Sequence, residues 1–221
     1  MDVSNAVPQP DGDGRTCKVG RLDTAVMDMV DRMPPGEIRV IDPVTGGAKG
    51  SKREDYSQIP PIPLLHTLNI LQEFKEWDPG RVAPTVRESW TNFLTEGDRG
   101  WLAVAAARAT RAMSDPLLYR PAVGLDAVAR VYRNGALKYA DANWCLGYSW
   151  RLTIASGWRH LVRYEAGEID NMEEIKGQLF TEPHLAHFVW HCFTLYEFDR
   201  LKRGTNDHLF FKDSYGKPRA A

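Results

Sequence analysis

Apolar residues recur at helical spacing through most of the chain after Ile59. Leu64, Leu65, Leu68, Leu71 and Phe74 follow Pro60-Pro61 and stop before Asp78-Pro79-Gly80, which marks a first helix. Val86 to Leu94 predicts a second, and the alanine-rich run Trp101 to Met113, closed by Ser114-Asp115-Pro116, predicts a third. Val123, Leu125, Val128, Val131 and Leu137 share one face of a fourth. A fifth runs from Trp150 to about Ala166, with Gly167 as its stop. The sixth begins near Thr181-Glu182-Pro183, with Thr181 as a cap and Pro183 in the first turn, and buries Leu185, Phe188, Val189, Cys192, Leu195 and Tyr196. No strong strand alternation interrupts this series, so the pattern predicts an all-α protein, an antiparallel helical bundle in which the fifth and sixth helices pack together.

The first fifty residues read differently. Pro8-Gln9-Pro10-Asp11-Gly12-Asp13-Gly14 and Gly46-Gly47-Ala48-Lys49-Gly50 are turn formers, and only Leu22 to Met33 offers a short amphipathic stretch before Pro34-Pro35. Residues 1–45 are therefore expected to be a flexible, poorly ordered N-terminal region, 46–207 the helical domain, and 208–221 a polar tail.

Charge changes the picture by exclusion. The 28 Lys and Arg balance 29 Asp and Glu, a net charge of -1, which removes any global electrostatic case for a nucleic-acid polymer as partner. No apolar run reaches the roughly 18 residues of a membrane span, and the N-terminus lacks a signal-peptide pattern. Cys17, Cys145 and Cys192 form no CxxC pair, which fits a reducing cytosol and a cytoplasmic location. Phosphate loops of the GxGxxG or GxxxxGK[ST] type and a GxSxG elbow are missing, and the HxxH at 184–187 lacks the glutamate of a zinc protease.

The polar residues of the last two helices need an explanation. His160, Tyr164 and Glu168 are spaced four apart, with Glu165 beside Glu168, while His184, His187 and His191 form one stripe on the sixth helix. Two such helices packed antiparallel bring carboxylates near imidazoles, the way bundles build divalent-metal sites. The same residues also suit solvated helix ends and a partly exposed histidine face. Between the fourth and fifth helices lie Gly135-Ala136-Leu137-Lys138-Tyr139, Asn143-Trp144 and Gly147-Tyr148-Ser149-Trp150. Lysine and aromatics there suit a planar, phosphate-bearing ligand, or alternatively rings that pin a loop to the bundle.

These stretches, with Arg159-His160, Gly167-Glu168-Ile169-Asp170, His187, Trp190-His191 and Gly204-Thr205-Asn206-Asp207, resemble the phage-encoded dATP/dGTP diphosphohydrolase N-terminal domain family. That family is related to the MazG-like all-α nucleotide pyrophosphohydrolases. Gly46 to Arg53, Ile59-Pro60-Pro61 and Leu64-Leu65 look like its opening. Residues from about 72 to 119 stand as an insertion relative to it. Histidines replace the ExxD of MazG-type enzymes on the last helix, while Glu165 and Glu168 fit their ExxE element.

The resemblance implies hydrolysis of a deoxynucleoside triphosphate, dATP or dGTP, to monophosphate and pyrophosphate with Mg²⁺ or Mn²⁺. It makes Glu165, Glu168, Asp170, His184, His187 and His191 candidate metal ligands, with His160, Glu168 and His187 catalytic. Lys52, Arg53, Lys138, Tyr139, Asn143, Trp144 and Arg159 become candidates for substrate binding. A homodimer or homotetramer in the host cytoplasm is implied as well. Two rival readings stand beside it. One is a helical interaction protein that docks a partner through an exposed stripe at 86–113. The other is an HD-type nucleotidase, disfavoured because the chain has no His-Asp dipeptide.

Overall fold

The computed structural model describes residues 38–41, 44–45, 48–51, 54–73, 82–114 and 121–208. The chain divides into two units, Met1–Arg53 and Glu54–Ala221. In the first, strand β1 (Ile38–Ile41) pairs antiparallel with β2 (Ala48–Ser51), Ile38 opposite Ser51 and Ile41 opposite Ala48. Of the residues expected to be flexible at the N-terminus, 1–37 and 42–43 lie outside the described residues, as do those of the polar tail beyond His208.

The second unit is helical: α1 (Pro61–Glu73), α2 (Val82–Glu96), α3 (Gly100–Ala112), α4 (Pro121–Lys138), a 3₁₀ turn at Asn143–Leu146, α5 (Trp150–Glu165) and α6 (His184–Leu201). The six helices sit where the apolar periodicity predicts them. Helix α6 is the axis, packed against α1, α3, α4 and α5. Phe188, Val189, Cys192, Phe193, Leu195 and Phe198 on it are wholly buried. A helix surrounded on most sides needs apolar residues all round it rather than on one stripe, and burial here extends well beyond the six positions the sequence suggests.

Helices α5 and α6 run antiparallel. Trp150 at the start of α5 donates from Nε1 to the Arg203 carbonyl (2.9 Å), whereas His160 near the end of α5 meets His184 at the start of α6. Asp207 closes the N-terminus of α5 from a distance in sequence, accepting from Ser149 Oγ (2.6 Å) and from the Arg151 amide (3.1 Å). A carboxylate there satisfies an orphan helical N–H and meets the positive end of the helix dipole.

Helices α2 and α3, from the stretch expected as an insertion, contribute to the core. Helices α2 and α3 form an antiparallel pair in which Arg108 donates to the Thr85 carbonyl (2.7 Å) and Ser89 Oγ (2.6 Å). Val86, Trp90, Phe93, Ala105, Ala106 and Ala109 are wholly buried, so the exposed stripe required by the interaction-protein reading is buried instead. Trp90 lies edge-on to Phe188 (5.0 Å between centroids) and reaches α5 over Gly157, where a Cβ would stand 2.8 Å from its ring. Only glycine allows that approach.

Two corrections concern the α5–α6 connection. The sequence shows no strong strand alternation, yet β3 (Asp170–Ile175) pairs antiparallel with β4 (Gln178–Pro183). Lys176 and Gly177 form its two-residue turn, both at positive φ (51° and 79°), the type I′ arrangement that matches strand twist. Glu173 and Glu174 sit side by side on opposite faces, which blurs the apolar alternation. Helix α6 consequently starts at His184, with Thr181 in a strand and Pro183 at the N-cap position, where no side chain caps the helix.

Candidate functional site

Helices α4, α5 and α6, the 3₁₀ turn and strand β3 enclose a cavity of about 620 Å³, within the range typical of small-molecule sites. Lys138, Tyr139, Asn143, Trp144, Arg159, His160, His187 and His191, all singled out by sequence, line it together. Burial orders them. Tyr132, Asn134 and His191 are buried, whereas Lys138, Tyr139 and Arg159 are exposed at the mouth.

The inner end is aromatic. Tyr132 meets Trp144 edge-on (6.2 Å) and Trp190 at a tilt (6.0 Å), and Trp190 stands edge-on to His191 (4.9 Å). The reading of rings that pin the connection to the bundle holds. Tyr148 packs on Phe198 (5.1 Å) and Trp150 on the same ring (6.4 Å), pinning the connection, and both Tyr148 and Trp144 line the cavity.

Histidines form the middle. His160 stacks on His187 (4.7 Å, 8° between planes), lies 5.6 Å from the His191 ring, and its Nδ1 shares a hydrogen bond with His184 Nδ1 (2.8 Å). Burial lowers His160 to about 3 and His187 to about 4, the neighbouring imidazoles adding to the effect. Burial also holds His191 well below the ordinary histidine value. The cluster is neutral at neutral pH because a charged imidazole would lose its solvation there.

The mouth is charged. Lys138 Nζ is ion-paired with Glu173, which raises its pKa, and sits over the Tyr139 ring (5.2 Å). Asn171 Nδ2 lies 3.3 Å from His187 Nε2, and Arg159 donates to Ser156 Oγ (2.7 Å).

The carboxylates expected with the histidines stay outside the cavity. Helix α5 ends at Glu165, and the amides of Gly167 and Glu168 bond back to the carbonyls of Tyr164 and Arg163 (both 3.0 Å), the closing pattern of a Schellman turn. Glu168 is thus past the helix and off the face it would share with His160. It pairs with Arg163 (2.7 Å) and stands 3.8 Å from His184, while Glu165 pairs with Arg87 (3.2 Å). Asp170 is exposed at the first position of β3. None of these three, nor His184, lines the cavity. Among the described residues no group of three or more His, Cys, Asp or Glu side chains is arranged to hold a metal ion, so the residues do not fit a resident metal cage. Lys52 and Arg53 lie outside the described residues.

The sequence reading misses Asn134, Asn171 and Glu173, which also line the cavity. For the last two a signal exists: Asn171, Glu173 and Ile175 alternate as the more buried face of β3. Cys192 is fully buried with its thiol pushed well up by burial, the structural role expected for it. Among the described residues no helix is long and apolar enough to cross a membrane.

Residues 104–208 match the family model described as dATP/dGTP diphosphohydrolase, N-terminal. The matched span begins inside α3 and holds the whole cavity except Gln58; the opening stretch 46–71 lies outside it. No curated protein and no solved structure matches the chain.

Proposed function

We propose, from the match of residues 104–208 to the dATP/dGTP diphosphohydrolase N-terminal family model, that the chain hydrolyses purine deoxynucleoside triphosphates to monophosphate and pyrophosphate. The observation that carries this reading is one cavity with an aromatic interior, a neutral histidine middle and a cationic mouth. That sequence of surfaces suits a base, a reacting phosphate and a phosphate tail in turn.

Lys138 and Arg159 at the mouth hold the β and γ phosphates, with Tyr139 beside them. Trp144 and Asn143 border the base. A water oxygen attacks the α phosphorus, the bond to the α–β bridging oxygen breaks, and pyrophosphate leaves with that electron pair. His160 and His187 take the proton of the water. They are too weakly basic for this in the free protein, but several phosphate charges placed beside them raise their proton affinity. The substrate therefore arms its own base. Mg²⁺ or Mn²⁺ would come with the triphosphate and would offset its phosphate charge, since among the described residues Glu173 is the one acidic side chain lining the cavity. Exposed Leu152 and Met172, which line the cavity, support assembly as a dimer or tetramer, which light scattering measures.

The test is incubation of the protein with dATP or dGTP and either cation, resolving pyrophosphate from phosphate. Pyrophosphate as product supports the reading; release of phosphate, or no turnover, overturns it.

A further inference from the structure

We propose that Asn134 reads the Watson–Crick edge of the base, and that free rotation of its amide lets one site accept both adenine and guanine. The proposal rests on the reading that the cavity takes a purine nucleotide.

Asn134 lies within α4, is 4% exposed and lines the cavity, yet its Oδ1 has no hydrogen-bond partner. Asparagine is a poor helix former, and a buried amide oxygen without a donor loses its hydration for nothing in return. A residue that breaks a local rule twice points to a ligand that completes it. Trp144 Nε1 and His191 Nδ1, on the same cavity, are also buried without partners. The unmet atoms of Asn134, Trp144 and His191 beside the Tyr132, Trp144 and Trp190 rings describe a slot for a flat heterocycle with hydrogen-bonding edges rather than for an apolar group.

A carboxamide offers an acceptor and a donor side by side. Adenine presents its 6-amino donor beside the N1 acceptor, and guanine presents the O6 acceptor beside the N1 donor. A half-turn of the amide converts one match into the other. An oxygen fixed by the protein would forbid that half-turn; the unpartnered Oδ1 permits it.

The test uses substitution and ligand together. Asn134→Asp keeps the shape but presents acceptors alone, which suit the guanine N1–H and 2-amino donors and oppose the adenine N1 lone pair. Titration calorimetry with dAMP and dGMP, which needs no turnover, is expected to show the dGMP-to-dAMP affinity ratio rising about tenfold over that of the original chain. With the unaltered protein, the monophosphate of purine 2′-deoxyriboside, which lacks the 6-substituent, is expected to bind about tenfold more weakly than dAMP. This second arm holds even if the variant fails to fold. An unchanged ratio in a folded variant, or equal binding of the two adenine-type ligands, overturns the proposal. If pyrophosphate is never produced while these binding shifts appear, the hydrolase reading falls and the base-reading role stands; turnover with an unmoved ratio is the reverse result.

Discussion

Arg108 on α3 and Asn134 on α4 are both polar side chains set against apolar neighbours, but the fold treats them differently. Arg108 meets a carbonyl and a hydroxyl of the facing helix, so its guanidinium is satisfied within the α2–α3 pair. Asn134 is left with an unmet oxygen, and around it the α4–α6 face holds stacked neutral imidazoles and an indole N–H without an acceptor. Unsatisfied buried groups destabilise a fold, so a cluster of them facing a cavity marks the side of the molecule shaped by something other than folding. The unmet atoms of Asn134, Trp144 and His191 gather on one cavity, whereas those of Trp90 and Thr110 on the α2–α3 side do not line it.

The largest effect that separates the two sides is expected from His187→Ala. Turnover should fall by about a hundredfold or more, the usual contribution of a proton-handling group. The melting temperature should move by only a few degrees, because the lost imidazole is half-buried at the cavity. A wild-type rate in this variant removes His187 from the chemistry. Trp90→Ala is the counterpart on the packing side: calorimetric or denaturant unfolding should show a loss of about 3–5 kcal/mol, with the folded fraction keeping its substrate affinity.

Acid should act through the histidine cluster. His160 and His187 are lowered from 6.5 to about 3 and about 4 in the folded chain, so below pH 6.5 the unfolded chain binds protons that the folded one refuses. Stability present above pH 6.5 should therefore drain away as pH falls toward 4, and a series of thermal melts should show a shallower decline in His160→Asn than in the original protein. An identical slope in both would mean that the cluster is not what titrates.

Gly135→Ala sharpens the contrast within one helix. A Cβ at Gly135 meets nothing within 4 Å, so the change should stabilise α4 by about 0.5–1 kcal/mol, while the added methyl narrows the cavity and weakens nucleotide binding. Opposite signs in melting temperature and affinity are the expected pair; a gain in both would place the ligand elsewhere. The smallest effect belongs to Glu168→Gln. Its carboxylate is half-exposed and paired with Arg163, so removing the charge should cost under about 1 kcal/mol and leave the rate near wild type. Abolished turnover would restore Glu168 as a metal ligand.

Helix positions were legible in the sequence because each helix carries an apolar period long enough to count, and eight cavity residues were legible because lysine, histidine and aromatic side chains stand out against it. The helix face shared by His160 and Glu168 failed on a boundary. Counting in fours from His160 reaches Glu168 only if the helix continues, and it turns back at Gly167. Glu173 and Asn171 were hidden in a strand whose polar residues occupy both faces. Asn134 was hidden for another reason: one asparagine in an amphipathic helix carries no spacing signal, and its importance shows only when its neighbours are found to leave it unbonded.

The turn at Lys176–Gly177 bears on how such a sequence can change over time. Two residues, both left-handed, close the hairpin between α5 and α6, and six registered pairs follow from it. Adding one residue to β3 would reverse which side chains look inward, exchanging Asn171 and Glu173 for their neighbours and misaligning His187 with His160. Lineages carrying this site are thus free to vary it by replacement and barred from varying it by length, so that the spacing from His160 to His187 should be as invariant as either histidine.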